Sequence, residues 1–319
     1  MSEVLLFGEP MALFVADTVG PLEDVEHFTR SLAGAEVNVC IGLTRLGHKT
    51  TYITRLGDEP LGRYIEKFLK KEGIGTEFIS FDPVYRTGIQ LKNKVVEGDP
   101  YAPYYRKGSA ASHISTKEID AIDLKEIRHI HMTGIPPALS DSCRRATYRL
   151  FEKAKENNIY ISFDPNLRPA LWESKEIMIQ TINDLASRAD MVLPGTAEGL
   201  ILTGSEDPEE IGDFYLNLGV KTVITKLGEK GAYVKTEQES YLVEGFPVKK
   251  VVDTIGAGDG FAVGVISGRL EGLPLKDCVR RGNAIGAIQV QHVSDNEGLP
   301  TRSELEAFIS SGGEILNKR

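Results

Sequence analysis

Short apolar runs recur along the chain, separated by stretches in which apolar residues fall three and four positions apart. Val4 to Phe7, Thr51 to Thr54, Ile127 to Met132, Ile159 to Phe163, Met191 to Leu193 and Thr222 to Thr225 read as buried strands. Leu61, Ile65, Phe68 and Leu69 repeat at helical spacing ahead of Gly73, and Val37, Ile41 and the Leu43/Leu46 pair do so ahead of Gly47. Each glycine suits the left-handed residue that ends a helix. Strands that alternate with helices of this length pair in parallel and are covered on both faces. The pattern therefore predicts an α/β fold, a three-layer α/β/α core around a mostly parallel sheet.

Two regions depart from that rhythm. Met11 to Val15, Thr87 to Val96 and Ala102 to Arg106 read as strands with no helix between them, and Gly98-Asp99-Pro100 as a turn. They predict a small β-sheet lid, drawn from segments at about 11–32 and 86–112 and inserted into a single domain spanning 1–319. An insertion of that kind is placed to cover a site at the carboxyl ends of the parallel strands. No internal repeat, low-complexity tract or Pro-rich linker divides the chain.

Charge and cysteine content narrow the function classes. With 37 Lys plus Arg against 46 Asp plus Glu, the net charge is −9, which argues against a nonspecific nucleic-acid or acidic-membrane surface. Cys40, Cys143 and Cys278 are far apart and lack CxxC spacing, so packing is their expected use. The first residues lack a basic region followed by an apolar stretch, and no run approaches the length of a membrane span. A cytoplasmic protein without a membrane partner is expected.

The strongest chemical signal is Asp253-Thr254-Ile255-Gly256-Ala257-Gly258-Asp259-Gly260-Phe261, which runs into an apolar helix from Ala262 to Leu270. Glycines on both sides of Ala257 let successive backbone N–H groups point into one concavity, and a helix N-terminus adds partial positive charge there. Such a place attracts phosphate. A carboxylate at its rim repels phosphate, so Asp259 points to a second task, accepting a proton from a nucleophile beside the phosphoryl group. Taken alone, the segment also fits an ordinary turn with Asp259 as a helix cap. The chain contains no G-x-x-x-x-G-K-[ST], and its G-x-G-x-G spacing fails the dinucleotide fingerprint.

The Asp253 to Asp259 stretch resembles the C-terminal signature of the ribokinase-like (PfkB) sugar kinases, and Gly34-Ala35-Glu36-Val37-Asn38 with Leu46-Gly47 resembles the N-terminal one. Within that family, Gly8-Glu9-Pro10-Met11-Ala12, Leu32 to Asn38 and Tyr104-Tyr105-Arg106-Lys107-Gly108-Ser109-Ala110-Ala111-Ser112 are most similar to the 2-keto-3-deoxygluconate kinases. The resemblance implies a ribokinase-like core with a β lid and transfer of phosphate from ATP to the 6-hydroxyl of that sugar acid. It makes Asp259 the catalytic base and the backbone of Gly256, Ala257 and Gly258 the anion hole. Gly34, Gln90, Tyr104, Arg106, Arg168, Asp259 and Asp295 become substrate contacts. Asn166, Arg168, Thr225, Lys226, Gly228, Gly231, Gly256 and Gly258 become nucleotide contacts. Mg2+ is implied as cofactor, with Glu198 acting through water, and a monovalent cation as a further ion. A homo-oligomer is expected because an inserted lid offers sheet edges to a second copy.

Residue chemistry alone leaves several alternatives open. Arginine forks are the usual way to hold a carboxylate, and strand alternation puts Tyr104 on the face of Arg106. Arg168 follows a strand in Asp164-Pro165-Asn166-Leu167-Arg168, at the end where α/β ligands bind. Both arginines are equally readable as solvated surface charges. Fructokinases carry similar segments, so a fructokinase or another ribokinase-like sugar kinase stays open, as does a non-catalytic sugar or nucleotide sensor. Glu36, where fructokinases usually have proline, favours the sugar acid by resemblance. Two positions depart from the family: Gln90, where some relatives place tyrosine, and Gly195, where the family usually has asparagine ahead of Glu198. The 225–231 stretch also reads as a polar turn between strands. His129 and His131 share a strand face but lack a third metal ligand, and Trp172 reads as core.

Overall fold

The computed structural model describes residues 2–96, 100–292 and 295–314. The strands in chain order are β1 (Val4–Phe7), β2 (Met11–Val19), β3 (Phe28–Ala33), β4 (Thr50–Gly57), β5 (Ile79–Asp82), β6 (Ile89–Lys94), β7 (Tyr104–Tyr105), β8 (His129–Thr133), β9 (Tyr160–Asp164), β10 (Met191–Val192), β11 (Thr222–Lys226), β12 (Ala232–Thr236) and β13 (Ser240–Val243). Nine of them form one sheet in the order β13-β12-β11-β10-β9-β8-β1-β4-β5. It is parallel from β11 to β5 and antiparallel at β12 and β13.

The helices are α1 (Ala35–Arg45), α2 (Pro60–Glu72), α3 (Thr116–Asp120), α4 (Pro136–Leu139), α5 (Asp141–Glu156), α6 (Lys175–Ala186), α7 (Thr196–Thr203), α8 (Pro208–Asn217), α9 (Ala257–Leu270), α10 (Leu275–Gln289) and α11 (Arg302–Ser310). Alternation along the strands feeds two apolar layers. Val4 and Leu6 join α1, α2, α9, α10 and α11 in one; Leu5 and Phe7 join α3, α5, α6 and α8 in the other. The three-layer core is thus the one the apolar pattern predicts. Helix α2 illustrates the local signals: Pro60 opens it, Glu59 accepts the N–H groups of Leu61 and Gly62, and Gly73 at φ 85° ends it.

Strand boundaries differ where polar residues are buried. The predicted 127–132 strand is displaced to His129–Thr133, because Ile127 N–H closes a turn on the Leu124 carbonyl at 2.9 Å while Thr133 still pairs with Asp164 of β9. Strand β5 was not predicted: its residues are only half-buried, so its apolar signal is weak.

A second sheet, β3-β2-β6-β7, is the lid. Strand β3 passes the end of the predicted 11–32 segment by one residue, and its sequence Phe-Thr-Arg-Ser-Leu-Ala did not read as a strand. The expected 102–106 strand shrinks to Tyr104–Tyr105, since Pro103 has no N–H to give. Its carbonyl still accepts from Leu91 N–H at 3.1 Å. Of the predicted turn, Gly98 and Asp99 lie outside the described residues. Among the described residues no helix is long and apolar enough to cross a membrane.

Candidate active site

A cavity of about 330 Å3 lies between the lid and the carboxyl ends of the large sheet. Its floor includes the segment entering α9. Gly256 caps that helix at φ 80°, and a Cβ there would lie 2.5 Å from the Asp295 carbonyl oxygen, so glycine alone fits. The first-turn amides of α9 have no carbonyl one turn earlier to bind. That of Ala257 leans on the Thr254 carbonyl at a long 3.3 Å. Gly256 and Gly258 line the cavity.

Asp259, in the first turn of α9, lines it too. Its Oδ2 accepts from Asn38 Nδ2 at 2.8 Å. Asn38 sits on α1, and Asn296 Nδ2 donates to its Oδ1 at 3.4 Å, which turns the Asn38 NH2 toward Asp259. Burial pushes the Asp259 carboxyl up to about 7, aided by the Asp164 and Asp295 charges and opposed by the Asn38 hydrogen bond and Arg168. That value suits a group that takes a proton near neutral pH.

Beside it, Asp164 ends β9 and Lys226 ends β11, and their side chains meet at 2.6 Å. Burial lowers the lysine pKa, but the Asp164, Glu198 and Asp259 charges outweigh it, leaving Lys226 above the ordinary lysine value. Asp164 also accepts the N–H of Asn166, which has a left-handed φ of 39°. Glu198 then accepts Leu167 N–H at 2.9 Å and Gly195 N–H at 2.8 Å, joining the Arg168 loop to the start of α7. Arg168 faces the cavity, with Nη1 donating to the Leu167 carbonyl at 2.9 Å.

On the lid side, Tyr104 and Arg106 share the cavity wall, the guanidinium 5.5 Å from the ring centroid. Arg106 is buried and donates from Nε to Glu9 Oε2 at 2.6 Å, while Ser109 Oγ donates to the other Glu9 oxygen. Gln90 and Gly34 complete this wall. Glu36 is fully buried; Thr133 donates to its Oε1, and Oε2 has no protein partner. Burial raises the Glu36 pKa to about 7.

The structure thus brings together Gly34, Gln90, Tyr104, Arg106, Asn166, Arg168, Glu198, Lys226, Gly256, Gly258, Asp259 and Asp295. It does not bring Ala257, Thr225, Gly228 or Gly231 to the cavity wall. Thr225 is buried within β11, and Gly228 and Gly231, at φ 61° and 98°, shape the turn into β12. Glu9, Asn38 and Asp164 also line the cavity without having been singled out. Asn38 and Asp164 sat within quoted motifs, but their partners, Asp259 and Lys226, lie 221 and 62 positions away. His129 Nε2 and His131 Nδ1 both bond Ser162 Oγ at 2.8 Å, and Trp172 is buried. Among the described residues no group of three His, Cys, Asp or Glu could hold a metal directly.

Comparisons with known proteins bear on this geometry. The chain is 48% identical over 318 residues to a 2-dehydro-3-deoxygluconokinase of Bacillus subtilis (strain 168), covering 99% of this chain and 98% of that protein. A PfkB protein from Polaromonas sp. JS666, also 48% identical, superposes with a TM-score of 0.89 over 96% of this chain and all of its own. A fructokinase double mutant from Vibrio cholerae O395, in fructose-, ADP- and potassium-bound form, is 28% identical with a TM-score of 0.85, covering 97% of this chain and 98% of that one. The family model of the pfkB family carbohydrate kinases matches residues 1–302, and the chain belongs to that family.

Proposed function

We propose that this chain phosphorylates the 6-hydroxyl of 2-keto-3-deoxygluconate, the sugar acid also called 2-dehydro-3-deoxygluconate, using ATP. Its family makes it an ATP-dependent sugar kinase. The observation that carries the reading is Asp259 beside the open first turn of α9, in one cavity with Arg106 and Arg168. The acceptor hydroxyl lies against Asp259 and the γ-phosphoryl group against the amides of Gly256 and Gly258, which line the cavity, with that of Ala257 turning from its long bond to Thr254 to join them. An alcohol is far less acidic than a carboxylic acid, so Asp259 orients the hydroxyl first and takes its proton late, as charge leaves the phosphoryl group. Asn38 holds the base in line. Arg106 and Arg168 face the acceptor carboxylate, and Arg168 with Asn166 also approaches the phosphates.

Mg2+ belongs to the reading at the level of the family. The residues fit a metal carried by the nucleotide: both Glu198 oxygens already accept backbone N–H groups, leaving only outward lone pairs for bound water. When bound, it neutralises charge on the phosphates. A monovalent cation is a further part of the proposal, supported by the potassium-bound fructokinase. So are a cytoplasmic setting and a second copy of the chain over the lid's outer face, where Tyr105, which points away from its cavity-lining neighbour Tyr104, is 63% exposed; sedimentation would test the latter.

The second reading is a fructokinase, favoured by the likeness to the fructose-bound structure. ATP-coupled assays on 2-keto-3-deoxygluconate, 2-keto-3-deoxygalactonate, fructose and ribose separate the two. The sugar acids should give the higher kcat/KM, and a preference for fructose would overturn the proposal.

A further inference from the structure

Lys92 lies on β6 of the lid, two positions after Gln90, so both side chains leave the same face of the strand. Gln90 reaches the cavity wall. Lys92 is 1% exposed, and its Nζ lies 2.5 Å from Asp253 Oδ2 and 2.9 Å from Asp295 Oδ1. An ammonium buried this far loses several kcal/mol of hydration unless it is paired. Burial would lower its pKa, but the Asp295 and Asp253 carboxylates raise it above the ordinary lysine value.

Those carboxylates sit on the two segments that flank the turn into α9. The other oxygen of Asp253 accepts Ile255 N–H at 3.0 Å, one residue before Gly256. Asp295 lines the cavity, and its carbonyl is the group that leaves no room for a Cβ at Gly256. One ammonium from the lid therefore holds both walls of the phosphate cradle. The path from the acceptor is short: Gln90 pairs with Tyr104 across β6 and β7, and Lys92 lies on the same strand.

We propose that Lys92 is a positioning residue that ties the lid to the phosphate cradle. By clamping Asp253 and Asp295 about Gly256, it makes seating of the acceptor against Gln90 and Tyr104 and alignment of the cradle amides a single event. The inference rests on the kinase reading but not on the identity of the acceptor.

The test is Lys92→Ala, assayed far below its melting temperature with whichever acceptor the wild type phosphorylates best. Displacing a cradle by about 1 Å costs on the order of a hundredfold, so kcat should fall by about that factor. Propylammonium, which matches the deleted atoms, should restore kcat at least about tenfold, and tetramethylammonium should not. Amide hydrogen exchange at 253–258, read without acceptor or nucleotide, should quicken in the variant. A kcat within about threefold of wild type, or a loss of kcat with wild-type exchange at 253–258, overturns the proposal. If Lys92→Ala does not fold, Lys92→Met combined with Asp253→Asn, which removes one unpaired charge, takes its place with the same kcat and exchange criteria. A wild type inactive on 2-keto-3-deoxygluconate would refute the acceptor assignment and leave the exchange result standing.

Discussion

The large sheet buries apolar side chains on both faces, Val4 and Leu6 on one and Leu5 and Phe7 on the other, under helices that complete two extensive layers. Among the described residues the lid sheet has for its own layer only Met11, Leu13 and Ala33, with Val15 beside them, while Leu32 at the inner end of β3 joins the core. Three such side chains contribute only a few kcal/mol, at about 25 cal/mol per Å2 buried. Much of what seats the lid is instead charge: Arg106 on Glu9, and Lys92 on Asp253 and Asp295, all buried. An apolar layer yields gradually when altered, whereas a buried ion pair fails abruptly when one partner goes. The lid is thus held by a few contacts that lie at the cavity itself.

The sharpest test of that contrast is Arg106→Ala. It leaves Glu9 buried without its cation, and should cost about 3–5 kcal/mol in denaturant unfolding. Arg106→Met with Glu9→Gln should recover most of that stability while acceptor binding stays weak. Recovery of both would mean that Arg106 is only structural.

At the core end, Asp259→Asn should lower turnover by about a hundredfold or more, or roughly 2.7 kcal/mol, with nucleotide binding kept. A coupled kinase assay beside a nucleotide titration checks it, and near-normal turnover would remove Asp259 as the base. Arg168→Ala comes next. It breaks no ion pair to a buried acid and should raise KM for the sugar acid about tenfold while altering that for fructose much less.

The smallest effects are in pH. Asp259 takes a proton only when ionised, so kcat/KM should rise with pH through about 7. Removing the Asn38 donor raises that value, so Asn38→Ala should move the rise to higher pH. For stability the sign is opposite. Asp259 and Glu36 have folded values of about 7 against ordinary values of 3.8 and 4.5. Their stability contribution is therefore greatest below the unfolded values and is lost as pH climbs from about 4 to 7. Glu36→Gln should flatten the corresponding fall in melting temperature.

Much of this was readable in advance where the signal is local. Apolar runs marked the parallel strands because both faces of each are covered, and the glycines at 256 and 258 marked the cradle because backbone geometry leaves no other residue for the first of them. The pairs that organise the site are not local. A lysine in an alternating lid strand reads as solvated, and only the fold reveals that Lys92 meets Asp295 across 203 positions. The 225–231 stretch divides for a similar reason: Lys226 points to the cavity because β11 ends beside β9's Asp164, while Gly228 and Gly231 serve the hairpin that follows.

Ser162 stands between two rings, His129 and His131, and its hydroxyl has one proton to offer. One imidazole must accept that proton and the other must donate its own, so the two tautomers are chosen together. Burial holds His131 to about 3 and His129 well below the usual histidine range, so both stay neutral in the native protein. Unfolded histidines charge near 6.5, so the stability these rings provide is full above that value and drains away on acidification. The lower limit of this protein's tolerance to acid is therefore set partly at the middle of its sheet, by a trio of side chains that never meets the reactants.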